Sequence, residues 1–566
     1  MVMAVAKFEM VGFLWMGLLA VGCASNGQTS GTPLDTHGAD AAVDVGAGPE
    51  PGGADAAKEA QTNPSDAGSS DPSDARVDGP ADADARPSTG QFDWVGIIGT
   101  GQSLSVGAQA ELIVSDKQPY RNLKLLDTGP DPKYPVDGGG LLSLVPLVEL
   151  IRPRLAGYAD AGGEYPDNIR GETPHSGMAN QISALSLAQT GRDYATLHSV
   201  VGWSGKCITR IDKAGGGHGY PGSLAEGRTF VAMAKAAGKT FGYGAIILTH
   251  GECDNANTNY AAQVHQLWAD YNTDLKQLTG QTTDIPLLIS QQSTQPKGPG
   301  ISASTLAAWK LGVDYPGKIV CAGPKYQYTY AADLLHLDAP GYVRLGEKYG
   351  QIYYQLVVLG KQWNPLQPAS VRRSGAKIVV VFEAPVPPIN WDPNMKSPHQ
   401  ITNTQWANGK GFEVQDSTGP LTIQSVAIVG SSVEINLPSA PTGSNLVVRH
   451  AMTQDGTINA GGTPDGHTGL LRDSDGFVGY DAETIRCNVT QGSPVVTSVA
   501  PNGFARRAGR DDVTGASLAA ETVIAQKTSD AQVTLSQPWS GPSGTADLSM
   551  HHDQHNYAVH FELPVP

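Results

Sequence analysis

Trp94-Val95-Gly96-Ile97-Ile98-Gly99-Thr100-Gly101-Gln102-Ser103-Leu104-Ser105-Val106-Gly107 decides how this chain is read. The first half is an apolar run of strand length that stops at glycines. A serine follows in a turn, with small residues on both sides. A buried strand ending this way delivers a hydroxyl to the C-terminal edge of a sheet, where open α/β folds place their chemistry. A serine there is inert without a base. The base that fits lies far along the chain, in Asp333-Leu334-Leu335-His336.

Around that stretch, short apolar runs alternate with helical ones, the pattern of a parallel α/β sheet. Strands are expected at Val95–Gly99, Ser199–Gly202, Gly244–Thr249, Pro286–Ser290 and Lys318–Ala322. Helices are expected at Met178–Gln189, Leu224–Ala237, Tyr260–Leu278 and Tyr342–Val358. Right-handed crossovers place every strand's C-terminal end on one edge. Ser103, Trp203–Gly205 and His250–Asp254 should therefore share it, and the Glu172–Gly177 stretch is read as a loop reaching the same rim.

The N-terminus has the form of an export signal. Lys7 precedes an apolar core, Val11 to Ala20, that is too short to span a bilayer. Leu19-Ala20-Val21-Gly22-Cys23 resembles a bacterial lipobox, so Cys23 is a candidate for lipidation. We expect residues 1–23 to be a leader and 24–90, almost devoid of large apolar side chains, to be a disordered tether. The tether carries most of the charge. Residues 31–90 hold 12 acidic and 3 basic side chains, −9 of the formal −16, which leaves −7 for the rest. That balance excludes a basic footprint for nucleic acid. A membrane partner is expected only through the lipid anchor. Apart from Cys23 the cysteines are Cys207, Cys253, Cys321 and Cys487. In an exported protein they allow two disulfides in three connectivities. Cys207 and Cys253 lie in neighbouring motifs, so their pairing is one candidate. The spacings do not resemble a zinc site.

After residue 363 the texture becomes β-rich. Ala376–Phe382, Val426–Leu437 and Asn445–His450 alternate, separated by turn residues, which reads as a β-sandwich. Residues 488–548 read as a β insertion, after which Asn556–Leu563 returns to the sandwich. Asp473-Ser474-Asp475-Gly476 lacks the carboxylate spacing of a calcium loop and reads as a surface turn.

Four blocks now stand in order: Gly101-Gln102-Ser103, Ser204-Gly205-Lys206, His250-Gly251-Glu252-Cys253-Asp254 and Asp333-Leu334-Leu335-His336, the last continuing Leu337-Asp338-Ala339-Pro340-Gly341-Tyr342. Over roughly residues 92–360 this resembles the SGNH (GDSL-like) hydrolases. Within them it is similar to the branch of sialate O-acetylesterases and the acetylxylan esterases of carbohydrate esterase family six. The resemblance implies a three-layer α/β/α sandwich over 91–362. It implies Ser103 as nucleophile, His336 as its base and Asp333 as the residue orienting His336. The implied oxyanion hole uses Ser103, Gly205 and a side chain at position 250. The branch commonly has Gln there; here it is His250, and Cys253 falls where related enzymes have Asn. Gln102, Glu252 and His175 are possible substrate-side residues, although Glu252 and Asp254 also suit anchors for their loop. No metal or cofactor is implied. Alone, Ser103 would suit a helix N-cap, and His250 a hydrogen-bonded core histidine. The α/β-hydrolase elbow is not met, because Ser105 replaces its last glycine.

These readings lead to an exported serine esterase that removes acetyl groups from an acetylated polysaccharide or oligosaccharide. The rival from another class is a non-catalytic, SGNH-like surface protein that binds glycan or serves adhesion.

Overall fold

The computed structural model describes residues 92–127, 142–153, 163–296, 300–401, 403–454 and 467–566. The leader, Cys23 and the tether lie outside the described residues.

A seven-stranded sheet carries the first part of the chain. Its strands are β1 (Trp94–Gly101), β2 (Leu123–Asp127), β3 (Leu142–Pro146), β4 (Thr196–Val200), β5 (Phe241–Thr249), β6 (Leu287–Gln291) and β7 (Ile319–Pro324). The order is β3-β2-β4-β1-β5-β6-β7. All neighbours pair in parallel except β2 with β3. That antiparallel pair was not expected, and neither was helix α5 (Ala303–Asp314). The other helices are α1 (Pro174–Thr190), α2 (Ile208–Ile211), α3 (Gly219–Ala236), α4 (Tyr260–Thr279) and α6 (Ala339–Tyr353).

The strands are apolar without a break because both faces are covered. Ile97, Ala245, Ile247, Leu288 and Val320 pack with Met178 and Ile182 of α1 and with Tyr342 and Tyr349 of α6. Their neighbours Ile98, Ile246, Leu248, Leu287 and Ile319 pack with Phe230 of α3, Leu267 and Tyr271 of α4 and Leu311 of α5. The sheet order reverses direction around β1. The chain lays β2 and β4 on one side of it and β5, β6 and β7 on the other, which leaves a crevice at the C-terminal ends of β4, β1 and β5.

Beyond α6 the described sheets are antiparallel. One joins Gln367–Ser374, Lys377–Glu383, Ser425–Val429 and Ser432–Asn436, and a second joins Phe412–Asp416, Gly419–Pro420, Val447–His450 and Phe561–Pro564. Val426–Leu437, expected as one segment, is a hairpin that turns at Gly430. A six-stranded sheet opens with Glu483–Val489 and closes with Gly544–His551, which pair along their whole length. Asp473 is not in a surface turn. It is buried and accepts from Val386 N at 3.0 Å, Asn556 N at 2.9 Å and Asn556 Nδ2 at 2.7 Å.

The β-rich part is bonded into the α/β part. Gln291, at the end of β6, exchanges two 2.9 Å hydrogen bonds with the backbone of His560, and Tyr326 donates to Ala558 O at 2.7 Å. Arg344 of α6 meets both oxygens of Asp511, at 2.5 and 2.6 Å, with both side chains buried. Burial opposes ionisation of Asp511, but Arg344, His552 and Arg507 together outweigh it and the carboxyl is held down at about 2.

Removing one partner of such a pair strands the other charge. Asp511→Asn should lower the unfolding free energy at neutral pH by about 3–5 kcal/mol in guanidinium titrations. Because the folded value lies below the ordinary 3.8, this stability is present above that value and is lost as pH falls toward about 2. Wild-type stability should converge on that of the variant across that window.

Candidate active site

The end of β1 is set by a close approach. Gly101 has φ +137°, and a Cβ there would lie 2.1 Å from the Thr249 carbonyl oxygen. Only glycine takes that conformation beside that oxygen without strain. Gln102 N then donates to Thr249 O at 3.2 Å, and Ser103 begins a single 3₁₀ turn. Gln102 occupies the cap position, so Ser103 Oγ is not used as a cap.

The hydroxyl is met by the loop between β7 and α6. Asp333 forms an Asx-type turn, its Oδ1 accepting from the Leu335 and His336 amides, each at 3.0 Å. Its Oδ2 lies 2.6 Å from His336 Nδ1, and His336 Nε2 lies 2.7 Å from Ser103 Oγ. A carboxylate only accepts, so Nδ1 carries the proton and Nε2 presents its lone pair to the serine. Burial raises the Asp333 pKa, but the hydrogen bonds from the His336 ring and the two amides bring it below its usual value. Two residues on, Asp338 caps α6, accepting from Gly341 N at 2.8 Å, so the loop is anchored to a buried helix.

Gln102 and Glu252 both line the cleft and are bonded to each other. Gln102 Nε2 donates to Glu252 Oε2 at 2.8 Å, and its Oε1 accepts from Cys253 N at 3.3 Å. Lys325 donates to Glu252 Oε1 at 2.7 Å. Burial works against the charge on Glu252, and Lys325 leads the interactions that together more than offset it, holding the carboxyl below its usual range. This bracket joins the ends of β1, β5 and β7. Lys325 was missed in the sequence; the signal was a glutamate at a buried strand end, which needs a cation.

Gly205 follows β4 with φ +70° and lines the same cleft as Ser103 and His336. Among the described residues its amide has no hydrogen-bond partner. The cleft measures about 600 Å³, and its walls include Gln109, Glu111, Arg170 and Gln295. None of these four carried a sequence signal.

Two expected residues are not brought to the cleft. His250 is buried; its Nε2 lies 3.0 Å from Lys206 O, and its Nδ1 3.0 Å from the hydroxyl of Tyr260, whose ring stacks on it. A carbonyl only accepts, so Nε2 donates and Nδ1 accepts from Tyr260. No ring N–H is left for an oxyanion, and burial keeps the imidazole neutral. His175 lies in the first turn of α1, whose N-cap Thr173 accepts from its amide. It sits beneath Gly99 with its Nδ1 2.9 Å from His198 Nδ1. The Glu172–Gly177 stretch is thus largely the buried start of a helix. Glu172 itself holds the amides of Val114 and Ser115, at 2.8 and 3.0 Å. Cys207 is disulfide-bonded to Cys253, whereas Cys321 and Cys487 are buried free thiols.

No known family profile matches this sequence, and no curated protein matches it significantly. Solved structures similar to it include a carbohydrate acetylesterase from Xanthomonas citri, 15% identical, covering 63% of this chain and 75% of that one with TM-score 0.41. Another is a protein from Arabidopsis thaliana, 15% identical, covering 47% and 99%, with TM-score 0.32. A third is a carbohydrate acetylesterase from Sinorhizobium meliloti, 14% identical, covering 47% and 99%, with TM-score 0.22. Likeness this distant leaves the chemistry to be judged from the chain's own geometry.

Lys325→Met should leave Glu252 buried without its cation and lower the unfolding free energy by about 3–5 kcal/mol in denaturant titrations. Adding Glu252→Gln removes the stranded charge, so the double variant should be more stable than Lys325→Met alone.

Proposed function

We propose that this protein is a serine carboxyl esterase of SGNH-like, three-layer α/β/α architecture that removes acetyl groups from carbohydrate hydroxyls. One observation carries the reading: an unbroken run of bonds from the Asp333 carboxylate through His336 to Ser103 Oγ, at 2.6 and 2.7 Å. A helix cap or a solvated turn has no use for such a run.

In the mechanism, Ser103 Oγ attacks the acyl carbonyl as its proton passes to His336 Nε2, and Asp333 stabilises the imidazolium. The amides of Ser103 and Gly205 take the charge that develops on the carbonyl oxygen. Collapse expels the sugar oxygen, which receives the proton from His336. Water, deprotonated by the same imidazole, attacks the acyl-enzyme and releases acetate. The leader and the lipobox-like Cys23 favour export and attachment to the envelope, where the substrate is a polymer outside the cell. The Cys207–Cys253 disulfide fits that oxidising compartment.

The test is acetate release from acetylated xylan and from p-nitrophenyl acetate. Ser103→Ala should abolish turnover on both, and Asp333→Asn should lower kcat by about 10⁴-fold because the wrong imidazole tautomer is favoured. Activity on the small ester alone would keep the esterase and change the substrate. A folded protein inactive on both would leave the glycan-binding scaffold as the reading.

A further inference from the structure

The loops after β4 and β5 are tied together three times within a few residues. Cys207 is bonded to Cys253 across a Cα–Cα distance of 5.1 Å. His250 Nε2 donates to Lys206 O at 3.0 Å. Asp254 Oδ2 accepts from Ile208 N at 2.8 Å. Two of these ties begin at Lys206 and Cys207, the two residues that follow Gly205. Gly205 itself has φ +70°, and no atom would lie within 4 Å of a Cβ placed on it, so packing does not hold it. The loop after β5 is in turn fixed to the nucleophile's strand through the Cys253 amide on Gln102.

We propose that the Cys207–Cys253 disulfide and His250 are positioning residues that together hold the Gly205 amide at the distance from Ser103 which the oxyanion needs. This rests on the esterase reading above. The ties act at a distance, because neither His250 nor the disulfide needs to touch the substrate. Their service is to fix a glycine that is otherwise held only by the turn bond from Lys206 N to Trp203 O, at 3.2 Å, among the described residues. A displacement of about 1 Å at such a donor costs about 100-fold in rate. Cys253 is exposed at the rim of the cleft, so the bond is open to reductant in the folded protein. The site would therefore lose turnover in a reducing compartment without losing its fold.

The experiment compares four proteins on p-nitrophenyl acetate: wild type, His250→Ala, His250→Gln and the double variant Cys207→Ser/Cys253→Ser. Each is checked for native circular dichroism and a cooperative melt. Wild type is also assayed after dithiothreitol, which cleaves the disulfide to two thiols and is itself oxidised to its cyclic disulfide. His250→Ala should lose about 100-fold in kcat with KM nearly unchanged. His250→Gln should recover most of that loss, because its amide can donate to Lys206 O. The double serine variant should be as slow as reduced wild type and indifferent to dithiothreitol, and reoxidised wild type should regain its rate. Full kcat in the folded double variant, or in folded His250→Ala, would overturn the proposal. Hydrogen exchange supplies a reading that does not depend on turnover. Reduction should speed exchange of the amides in 203–212, and unchanged protection there would overturn the clamp even if wild type proved inactive. Inactivity of wild type together with faster exchange would sink the esterase reading and leave the mechanical tie standing.

Discussion

The contact on which the site depends is the approach of Gly101 to the carbonyl of Thr249. Two parallel strands normally diverge where their ladder ends. Here β1 stays paired with β5 as far as Gly101 and Thr249, where the sheet order reverses, and the turn carrying Ser103 lines the crevice. The loops after β4 and β5 flank that turn because their strands flank β1. The loop holding Asp333 and His336 has only to descend from α6 to complete the group. Four separate pieces of chain thus meet by sheet order, with no long excursion by any of them.

The charges beneath the site follow the same economy. Glu252 is buried, and an isolated carboxylate there would cost several kcal/mol. It is matched by Lys325 and by the Gln102 amide, so it works as a fixed post and not as an acid or base. His250 plays a similar part, neutral and fully engaged. Among the described residues lining the cleft, His336 is bonded to Ser103 and to Asp333.

Much of this was legible in the residues. β1 and β5 announce themselves because burial on both faces demands unbroken apolar runs. Ser103, Asp333 and His336 were found because short motifs sit at strand ends. β2 and β3 escaped because a mixed edge pair interrupts its apolar pattern with Lys124 and Ser143. The start of α1 was read as a loop reaching the rim, although Thr173 caps the helix and Pro174 suits its first turn. His250 was assigned to the oxyanion because sequence gives a position along the chain and not the direction of a ring. What turns it away is Tyr260 and the carbonyl of Lys206, and no local pattern records that pair.

The bonds between Gln291 and His560 bear on timing. They join residues 269 positions apart, and Tyr326 reaches 232 positions to Ala558. Synthesis runs from the N-terminus, so these closures wait until residue 560 has been made. Closing loops of that length is also the slow part of folding. Until then β6 and the loop after β7 lack the partners that latch them to the β-rich part. A ribosome stalled anywhere before residue 560 would release a protein with its serine in place and its sheet still unlatched.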